Sequence, residues 1–453
     1  MSPVPPLASR PLGRRAVLRG AAVAGLVPLA GCAGLTERVS STTPGGRDRL
    51  TMQVYGTDVE ADLYVELARR FSEARGVTVD VTYVPFAEAL TAVDSGLLAG
   101  TAPDVFRVDY PTMGLYSGTG QLLDITDATA ELARDVSPAY MGAVSSGDRV
   151  YGVPQHVDTS ALLYRRDVFD AAGITVPDRG EDAWSWEEFG EVADRLRDAA
   201  EADGTGRAPF AVNWQEFGAF RWLTWLFEAG GQLYTPDLGS AALTDGGADG
   251  PGARALEFTR SFFERGWVPP ATSTKATTLP DALFTSGRLS MVFAGNFLLP
   301  AFSETVGDRF AYGATFQPQD ARRSSELGGN ALVANADATN PELAAEFLTY
   351  MVAPEQMATF CAEGVLLPTR TSLLERGLDF ALSPDLMEVY SDQIRTITDR
   401  DVADVTTPTF AEVNTVLANE LEQCFLGDAS VADTLDAIAE RVDATATLNE
   451  AAS

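Results

Sequence analysis

The chain carries one histidine, His156, among 64 aspartates and glutamates. A Ser-His-Asp or Cys-His nucleophile would have to be built on that single imidazole. It sits between two short apolar runs, where it can meet a ligand or satisfy backbone groups, and the structural role carries more weight for a lone histidine. The motifs that would commit a chain to turnover are missing. There is no GxSxG, no Walker A sequence and no HExxH, and Gly118-Thr119-Gly120 lacks both the third glycine and the helix of a dinucleotide loop. No CxxC or Cys/His cluster suggests a structural metal, and nothing calls for a cofactor. With so many acids, a glycosidase-type carboxylate pair cannot be judged by counting, and most of them must form a solvated surface. What remains is a set of aromatic and polar side chains at the ends of predicted strands, a pattern suited to holding a ligand.

Those side chains need a frame. Residues 50–55 alternate as a strand, Gly56-Thr57-Asp58 turns into a helix with Leu63, Leu67 and Phe71 inward, and Gly76 stops it. Val77, Val79, Val81 and Tyr83 alternate as the next strand, a helix from Phe86 carries Leu90, Val93 and Leu97, and residues 102–106 open a third strand. This β-α-β-α-β order predicts a mainly parallel sheet covered on both faces. Ligands of such sheets lie beyond the carboxyl ends of strands, which brings Tyr55, Gly56, Asp58, Asp109 and Tyr110 to a cleft.

The organising stretch runs from residue 147 to 189. Residues 150–153 and 160–164 read as strands separated by Pro154-Gln155-His156-Val157-Asp158. Proline cannot donate to a ladder, so the chain is expected to leave one sheet here and enter another. A short helix stops at Gly173, and Ser185-Trp186-Glu187-Glu188 forms a capping box above Phe189, Val192, Ala193 and Leu196. Residues 210–217 (FAVNWQEF) read as a strand, and the next helix holds Phe220, Leu223, Trp225 and Leu226. Residues 235–252 read as a surface loop. A strand through Val292 and Phe293 reaches Gly295-Asn296-Phe297, the expected second crossover. Asn340-Pro341 caps a helix with Ala344, Phe347 and Leu348 inward, and helices near 410–425 and 431–442 close the chain.

Taken in order, Tyr151-Gly152-Val153-Pro154, Asp158-Thr159, Leu162-Leu163-Tyr164, Ala172-Gly173-Ile174 and Trp186-Glu187-Glu188-Phe189 resemble the solute-binding proteins of ABC importers, the sugar-binding ones similar to maltose-binding protein above all. Residues 282–291 (ALFTSGRLSM), 327–333 (LGGNALV) and 367–370 (LPTR) extend the likeness over nearly all of the chain after the leader. The resemblance implies a two-lobed α/β periplasmic-binding-protein-like fold of type II, with discontinuous lobes joined by hinge crossovers near residues 156 and 296. It implies a first lobe of 50–156 plus 297–338 and a second of 157–296 plus 339–448. It also puts Tyr55, Asp58, Asp109, Tyr110, Asp158 and Asn296 at the ligand cleft, although Tyr55 stands where relatives often have tryptophan. In Asn213-Trp214-Gln215-Glu216-Phe217, Glu216 would accept from sugar hydroxyls and Phe217 would stack. Trp214 and Phe217 have weaker claims to the core than Trp225. Phe297 would be a stacking platform that keeps the ring and loses the indole donor. Gly329 and Asn330 would let a ligand approach backbone amides, and Arg370 would stand near the cleft.

The N-terminus reads as an address. Arg14-Arg15 begins a twin-arginine pattern, residues 21–30 are a short apolar run, and Leu29-Ala30-Gly31-Cys32 resembles a lipobox. Cleavage before Cys32 removes four arginines and takes the formal charge from -31 to -35. Acylated Cys32 would hold the chain to the outer face of the cytoplasmic membrane, with residues 32–49 as a flexible tether; an ordinary secretion signal is the alternative. The acidity argues against nucleic acid and against anionic membrane surfaces. Lys275 is the only lysine. Cys361 and Cys424 lie on apolar helical spacings, as buried thiols or as a disulfide.

The expected function is a lipid-anchored, monomeric receptor that captures a sugar or oligosaccharide and delivers it to an ABC permease by hinge closure. The competing readings are a secreted carbohydrate-active enzyme and a binding protein for a peptide or polyamine.

Overall fold

A computed structural model describes residues 47–214, 217–277 and 280–452. Its strands are β1 (Arg49–Val54), β2 (Thr78–Tyr83), β3 (Val105–Asp109), β4 (Ser145–Ser146), β5 (Arg149–Val150), β6 (Gly152–Asp158), β7 (Ser160–Arg165), β8 (Met291–Gly295), β9 (Tyr312–Thr315), β10 (Gly328–Ala334) and β11 (Leu367–Pro368). A six-stranded sheet has the order β11-β6-β10-β3-β1-β2, and a three-stranded sheet has the order β8-β7-β9. Each sheet centres one lobe of an α/β fold. In the first, β1 pairs in parallel with β2 and β3, as the βαβ order requires, while β10 runs antiparallel between β3 and β6.

Local signals hold. The helix Asp58–Arg75 starts on a Thr57/Glu60 capping box and ends at left-handed Gly76, φ 69°. The helix Arg166–Ala172 ends at Gly173, φ 61°, and Trp186–Ala202 starts on the Ser185/Glu188 box. Asn340 caps Pro341–Met351 through Leu343. Each device satisfies backbone donors or acceptors that the first and last helical turns leave open.

The crossings fall elsewhere than expected. β6 runs straight through Pro154, because the register slips between Asn330 and Ala331 and the bulge accommodates the missing N–H. The chain changes sheets at Thr159, between β6 and β7. It does not cross at Asn296. The segment after β8 turns into the helix Leu299–Val306 and returns as β9, which pairs with β7, so residues 297–315 stay with the second lobe. The second crossing is residues 316–327, ahead of β10. Helices Pro341–Met351 and Pro354–Gly364 then pack on the large sheet and on the helix Asp58–Arg75. The third crossing follows Thr371–Arg376, before Pro384–Gln393 settles on β7 and β9. The boundaries expected at 297 and 339 therefore move to about residues 316 and 377.

Two further readings change. Residues 208–214 form no regular strand, yet they lie beside β8: Ser290, Met291 and Phe293 N–H groups donate to Ala208, Pro209 and Ala211 carbonyls at 3.0, 2.9 and 3.0 Å. Cys361 and Cys424 are both free and buried, the first in Pro354–Gly364 and the second in Phe410–Leu426. The disulfide alternative is thereby set aside.

The last helices also reach across. Asp399–Val405 packs on Pro138–Ala143, and Phe410–Leu426 packs on Tyr110–Ser117. The fit is close: a Cβ on Gly114 would stand 2.3 Å from the Thr407 carbonyl oxygen.

Candidate functional site

Three strand ends in the first lobe converge on one polar cluster. Tyr55 follows β1, Asp109 ends β3, and Asn330 lies opposite Asp109 in β10. The Tyr55 hydroxyl donates to Asp109 Oδ1 at 2.7 Å. Asn330 Nδ2 donates to the Tyr55 hydroxyl at 2.9 Å and also to Asp109 Oδ1. Beneath them, Arg107 donates to Asn330 Oδ1 and to the Tyr55 carbonyl, and pairs with Glu60 at 2.8 Å. Because Arg107 occupies the amide oxygen, the amide nitrogen must face Asp109 and Tyr55. Gly56 makes room: a Cβ there would lie 2.6 Å from Arg107 Nη1. Neither Arg107 nor Glu60 stood out in the sequence. The available signal was an arginine in the middle of an otherwise apolar strand, Val105-Phe106-Arg107-Val108.

His156 is fully buried in β6, with Nε2 3.4 Å from Arg107 Nη2. Burial first, and then the guanidinium, hold its pKa well below the usual imidazole range, so the ring is neutral. Among the described residues no serine or cysteine hydrogen-bonds it. Tyr110 is also buried and donates to the His156 carbonyl at 3.0 Å, which makes it part of the floor.

Asp158 ends β6 at the crossing. Its carboxylate makes no hydrogen bond among the described residues, and burial pushes its pKa up to about 7. Arg221 lowers it, while Asp109, Glu326 and Glu60 raise it. Burial likewise raises Asp109, against Tyr55, Arg107, Asn330 and Arg221. Arg221 belongs to the second lobe, so its field on both aspartates marks where the lobes face each other. Glu326 at the second crossing accepts from Ser160 and, at 3.5 Å, from Thr224, with Arg221 Nε 3.9 Å away.

A raised carboxyl pKa has a definite sign. Folded Asp158 holds a proton up to about pH 7, whereas the unfolded chain releases it near 4, so its contribution to stability declines as pH rises between those values. Asp158→Asn is therefore expected to melt well above the wild type at pH 8 and nearly level with it at pH 4. An equal difference at both pH values would remove Asp158 from that role.

Other expected site residues have other duties. Trp214 is 1% exposed, stacked on Phe425 at 5.1 Å and edge-on to Trp225 at 5.2 Å, so it belongs to the core. Asn296 spends its amide on the hinge: Oδ1 accepts from Thr159 N at 3.0 Å, and Nδ2 donates to the Val365 carbonyl at 2.8 Å. Gly329 has φ 102°, and a Cβ would stand 2.5 Å from the His156 carbonyl oxygen. The missing side chain thus admits β6 rather than a ligand. Arg370 donates to the Val352 carbonyl at 2.7 Å and to Asp135 at 2.8 Å, closing the end of a helix. Asp58 is exposed in the first turn of its helix, and Phe297 is half-buried just beyond β8. Glu216 and Cys32 lie outside the described residues.

Phe217 is different in kind. It is 58% exposed, adopts φ 67°, and has its carbonyl held by Asn414 Nδ2 at 2.9 Å. A left-handed phenylalanine costs on the order of 1–3 kcal/mol and persists only where its surroundings enforce it. Here that strain presents a ring to solvent four residues before Arg221. A separate cavity of about 410 Å³ between Pro138–Gly142 and Asp399–Pro408 contains none of these residues.

Among the described residues no helix is long and apolar enough to cross a membrane, and no group of acids, cysteines and histidine is arranged to hold a metal. Of known proteins, the maltodextrin-binding protein of Bacillus subtilis is 24% identical over 359 residues, covering 78% of this chain and 79% of that one. The galactooligosaccharide-binding protein of the same organism is 24% identical, covering 82% and 83%. Among solved structures, the GacH receptor of Streptomyces glaucescens, determined unliganded and with acarbose, superposes with a TM-score of 0.75 at 20% identity, covering 90% of this chain and 99% of that one. A Thermotoga lettingae ABC transporter solute-binding protein bound with α-D-tagatose gives 0.74 at 21%, covering 88% and 100%. These likenesses carry the two-lobed fold. The family model described as bacterial extracellular solute-binding protein matches residues 57–358, and the chain belongs to that family.

Proposed function

We propose that the chain captures a sugar or oligosaccharide between its lobes and delivers it, without turnover, to an ABC permease outside the cytoplasm. The observation that carries this reading is the pairing of oriented acceptors with an exposed ring. Tyr55, Asp109 and Asn330 are fixed in the first lobe, Asp158 lies at the crossing, and Phe217 is presented by the second. Carboxylates and amides bond sugar hydroxyls, while a ring covers an apolar sugar face. The ligands of the relatives agree: maltodextrin, galactooligosaccharide, acarbose and tagatose. Glu216 and Phe297 join the ligand set in this reading. Acyl chains on Cys32 anchor a monomeric receptor to the membrane's outer face, each buried methylene contributing roughly 0.8 kcal/mol.

A thermal-shift panel of mono- and oligosaccharides, with spermidine and a short peptide as controls, tests the class. A ligand that binds only the folded state raises the melting temperature, by about 2.7 kcal/mol of stabilisation at a hundred times Kd. The excess of Asp109, Asp158 and Glu326 over Arg221 makes spermidine the informative control, and a shift with it alone would replace the sugar. Phe217→Ala should weaken the bound sugar about tenfold to a hundredfold, from a ring contact of roughly 1–3 kcal/mol. Phe217→Gly should lose the same affinity while the fold becomes more stable, because the backbone strain is relieved. Unchanged affinity in both variants would exclude the ring from the site.

A further inference from the structure

One helix of the first lobe ends on a residue ill-suited to the turn it makes. Helices Asp58–Arg75, Phe86–Ala99 and Arg166–Ala172 stop at left-handed glycines, with φ of 69°, 67° and 61°. Pro354–Gly364 makes the same turn at Val365, φ 58° and ψ 41°, where a β-branched side chain crowds the backbone. Val365 is buried, and its N–H donates to the Cys361 carbonyl. Its own carbonyl is held from the second lobe: Asn296 Nδ2, just beyond β8, donates to it at 2.8 Å. A strained residue of this kind persists only where its surroundings enforce it, and such residues gather at switches. Asn296 is also fully buried and tied to the crossing. Its N–H donates to the Thr159 carbonyl at 3.3 Å, and its Oδ1 accepts from the Thr159 N–H at 3.0 Å. One end of the amide is therefore fixed where the chain changes sheets, and the other reaches into the first lobe. Rotation about Thr159 carries Asn296 with β8, and Val365 with the helix that packs on Asp58–Arg75. A hydrogen bond of 2.8 Å does not survive such a displacement.

We infer that Asn296 and Val365 form a latch between the lobes: the amide holds the strained carbonyl in the closed arrangement, and its release lets Val365 leave the left-handed region as the lobes part. Closed lobes are thereby populated before any ligand binds. The latched arrangement is the ligand-holding one, because Tyr55 and Asn330 are buried in it and Arg221 of the second lobe acts on Asp109 and Asp158. With both ends of its amide committed, Asn296 acts through the lobes and not on the ligand. Asn296 and Val365 are positioning residues that set the closed fraction, to which apparent affinity is proportional, and this effect on affinity rests on the interlobe capture proposed above.

X-ray scattering and calorimetry on the full chain test the latch, with the panel sugar that raises the melting temperature most. Asn296→Asp keeps an acceptor for Thr159 and replaces the donor with an oxygen that repels the Val365 carbonyl. Its ligand-free radius of gyration should exceed that of the wild type, the sugar-saturated radii should match, and affinity should fall about tenfold. Val365→Gly makes the left-handed turn without strain, so it should bind at least as tightly as wild type although a buried side chain is gone. Added to Asn296→Asp, it should restore most of the lost affinity and the compact ligand-free radius. A role in packing alone would move the melting temperature and neither of these readouts. If Asn296→Asp folds with unchanged radius and affinity, the latch is wrong and the sugar reading stands. If affinity falls while the ligand-free radius stays fixed, Asn296 contacts the ligand directly, and the latch is again overturned. Should Asn296→Asp fail to fold, Val365→Gly and Val365→Ala decide, since both lose the same bulk and only alanine keeps the strain: tighter binding by glycine supports the latch, and equal binding overturns it. If no panel sugar binds the wild type, the sugar reading falls, and the ligand-free radius of Asn296→Asp still decides the latch.

Discussion

Arg107→Met is expected to destabilise the protein by about 3–5 kcal/mol, because it strands the Glu60 carboxylate in the interior of the first lobe. The two side chains are only 5% and 4% exposed, and they pair at 2.8 Å. Glu60 has a second duty, accepting from Thr57 N at 2.8 Å to complete the helix cap, so it cannot turn to water when its partner goes. The double variant Arg107→Met/Glu60→Gln removes both charges and should recover most of the loss. Urea unfolding of the wild type, the single and the double variant closes the cycle. The effect on ligand binding should differ. In the double variant Asn330 has lost the guanidinium that fixes its amide, so Tyr55 and Asp109 lose their common donor's orientation and sugar affinity stays low although stability returns. A single variant costing less than about 1 kcal/mol would mean that the pair is not buried in solution. A double variant with full affinity would show that Asn330 needs no such support.

Trp214→Ala should cost a similar amount, about 3–5 kcal/mol, for an unrelated reason. Its ring lies against Phe425 at 17° and against Phe262 at 11°, with Trp225 across its edge, and the second lobe has nothing to fill the void. The indole N–H has no partner, so the contribution is one of packing area and not of a hydrogen bond. Trp214→Phe, which keeps a ring and removes an unsatisfied donor, should cost much less. Sugar affinity measured where each variant remains folded should be little changed. A weakened ligand with an unshifted urea midpoint would instead return Trp214 to the cleft, where the sequence reading had placed it.

These two residues mark the boundary of what the sequence could tell. Trp214 and Phe217 stand three positions apart in one aromatic stretch, yet one is core and the other a solvent-facing ring. The difference is set by the left-handed backbone at Phe217 and by Asn414, which lies 197 residues away. Composition cannot register either. Helix ends were legible because their hydrogen bonds close within a few residues: Gly76, Gly173, Ser185 with Glu188, and Asn340 with Pro341 all stand as read. The parallel β1, β2 and β3 were legible from periodicity, and from their order the nearness of Tyr55 to Asp109 at the strand ends. The crossings were not. Pro154 looked like the end of a strand because the bulge beside it, with Gln155 as the extra residue of β6, exists only in the pairing with the distant β10. Asn296 looked like a ligand residue because a buried amide clamping two distant backbones has no local signature. Asn330 was singled out by its glycine-rich setting, while Arg107, which orients it, was passed over because a buried arginine is explained only by Glu60, 47 positions earlier.

The central strand β10 has a consequence for how the chain reaches its native state. It sits between β3 and β6, pairing Asn330 with Asp109 and Leu332 with Val153, so the first lobe's sheet stays split until about three quarters of the chain has been made. β11 adds its edge later still, at Leu367–Pro368. The pair β1–β2 can form early, but joining β3 to β6 means closing loops of roughly two hundred residues, whose entropy must be met before the contacts repay it. Until then the edges of β3 and β6 are open and apolar, and open strand edges invite pairing with other chains. Slow, late completion of the first lobe is thus built into the strand order, and the strong negative charge helps to keep such incomplete chains apart from one another.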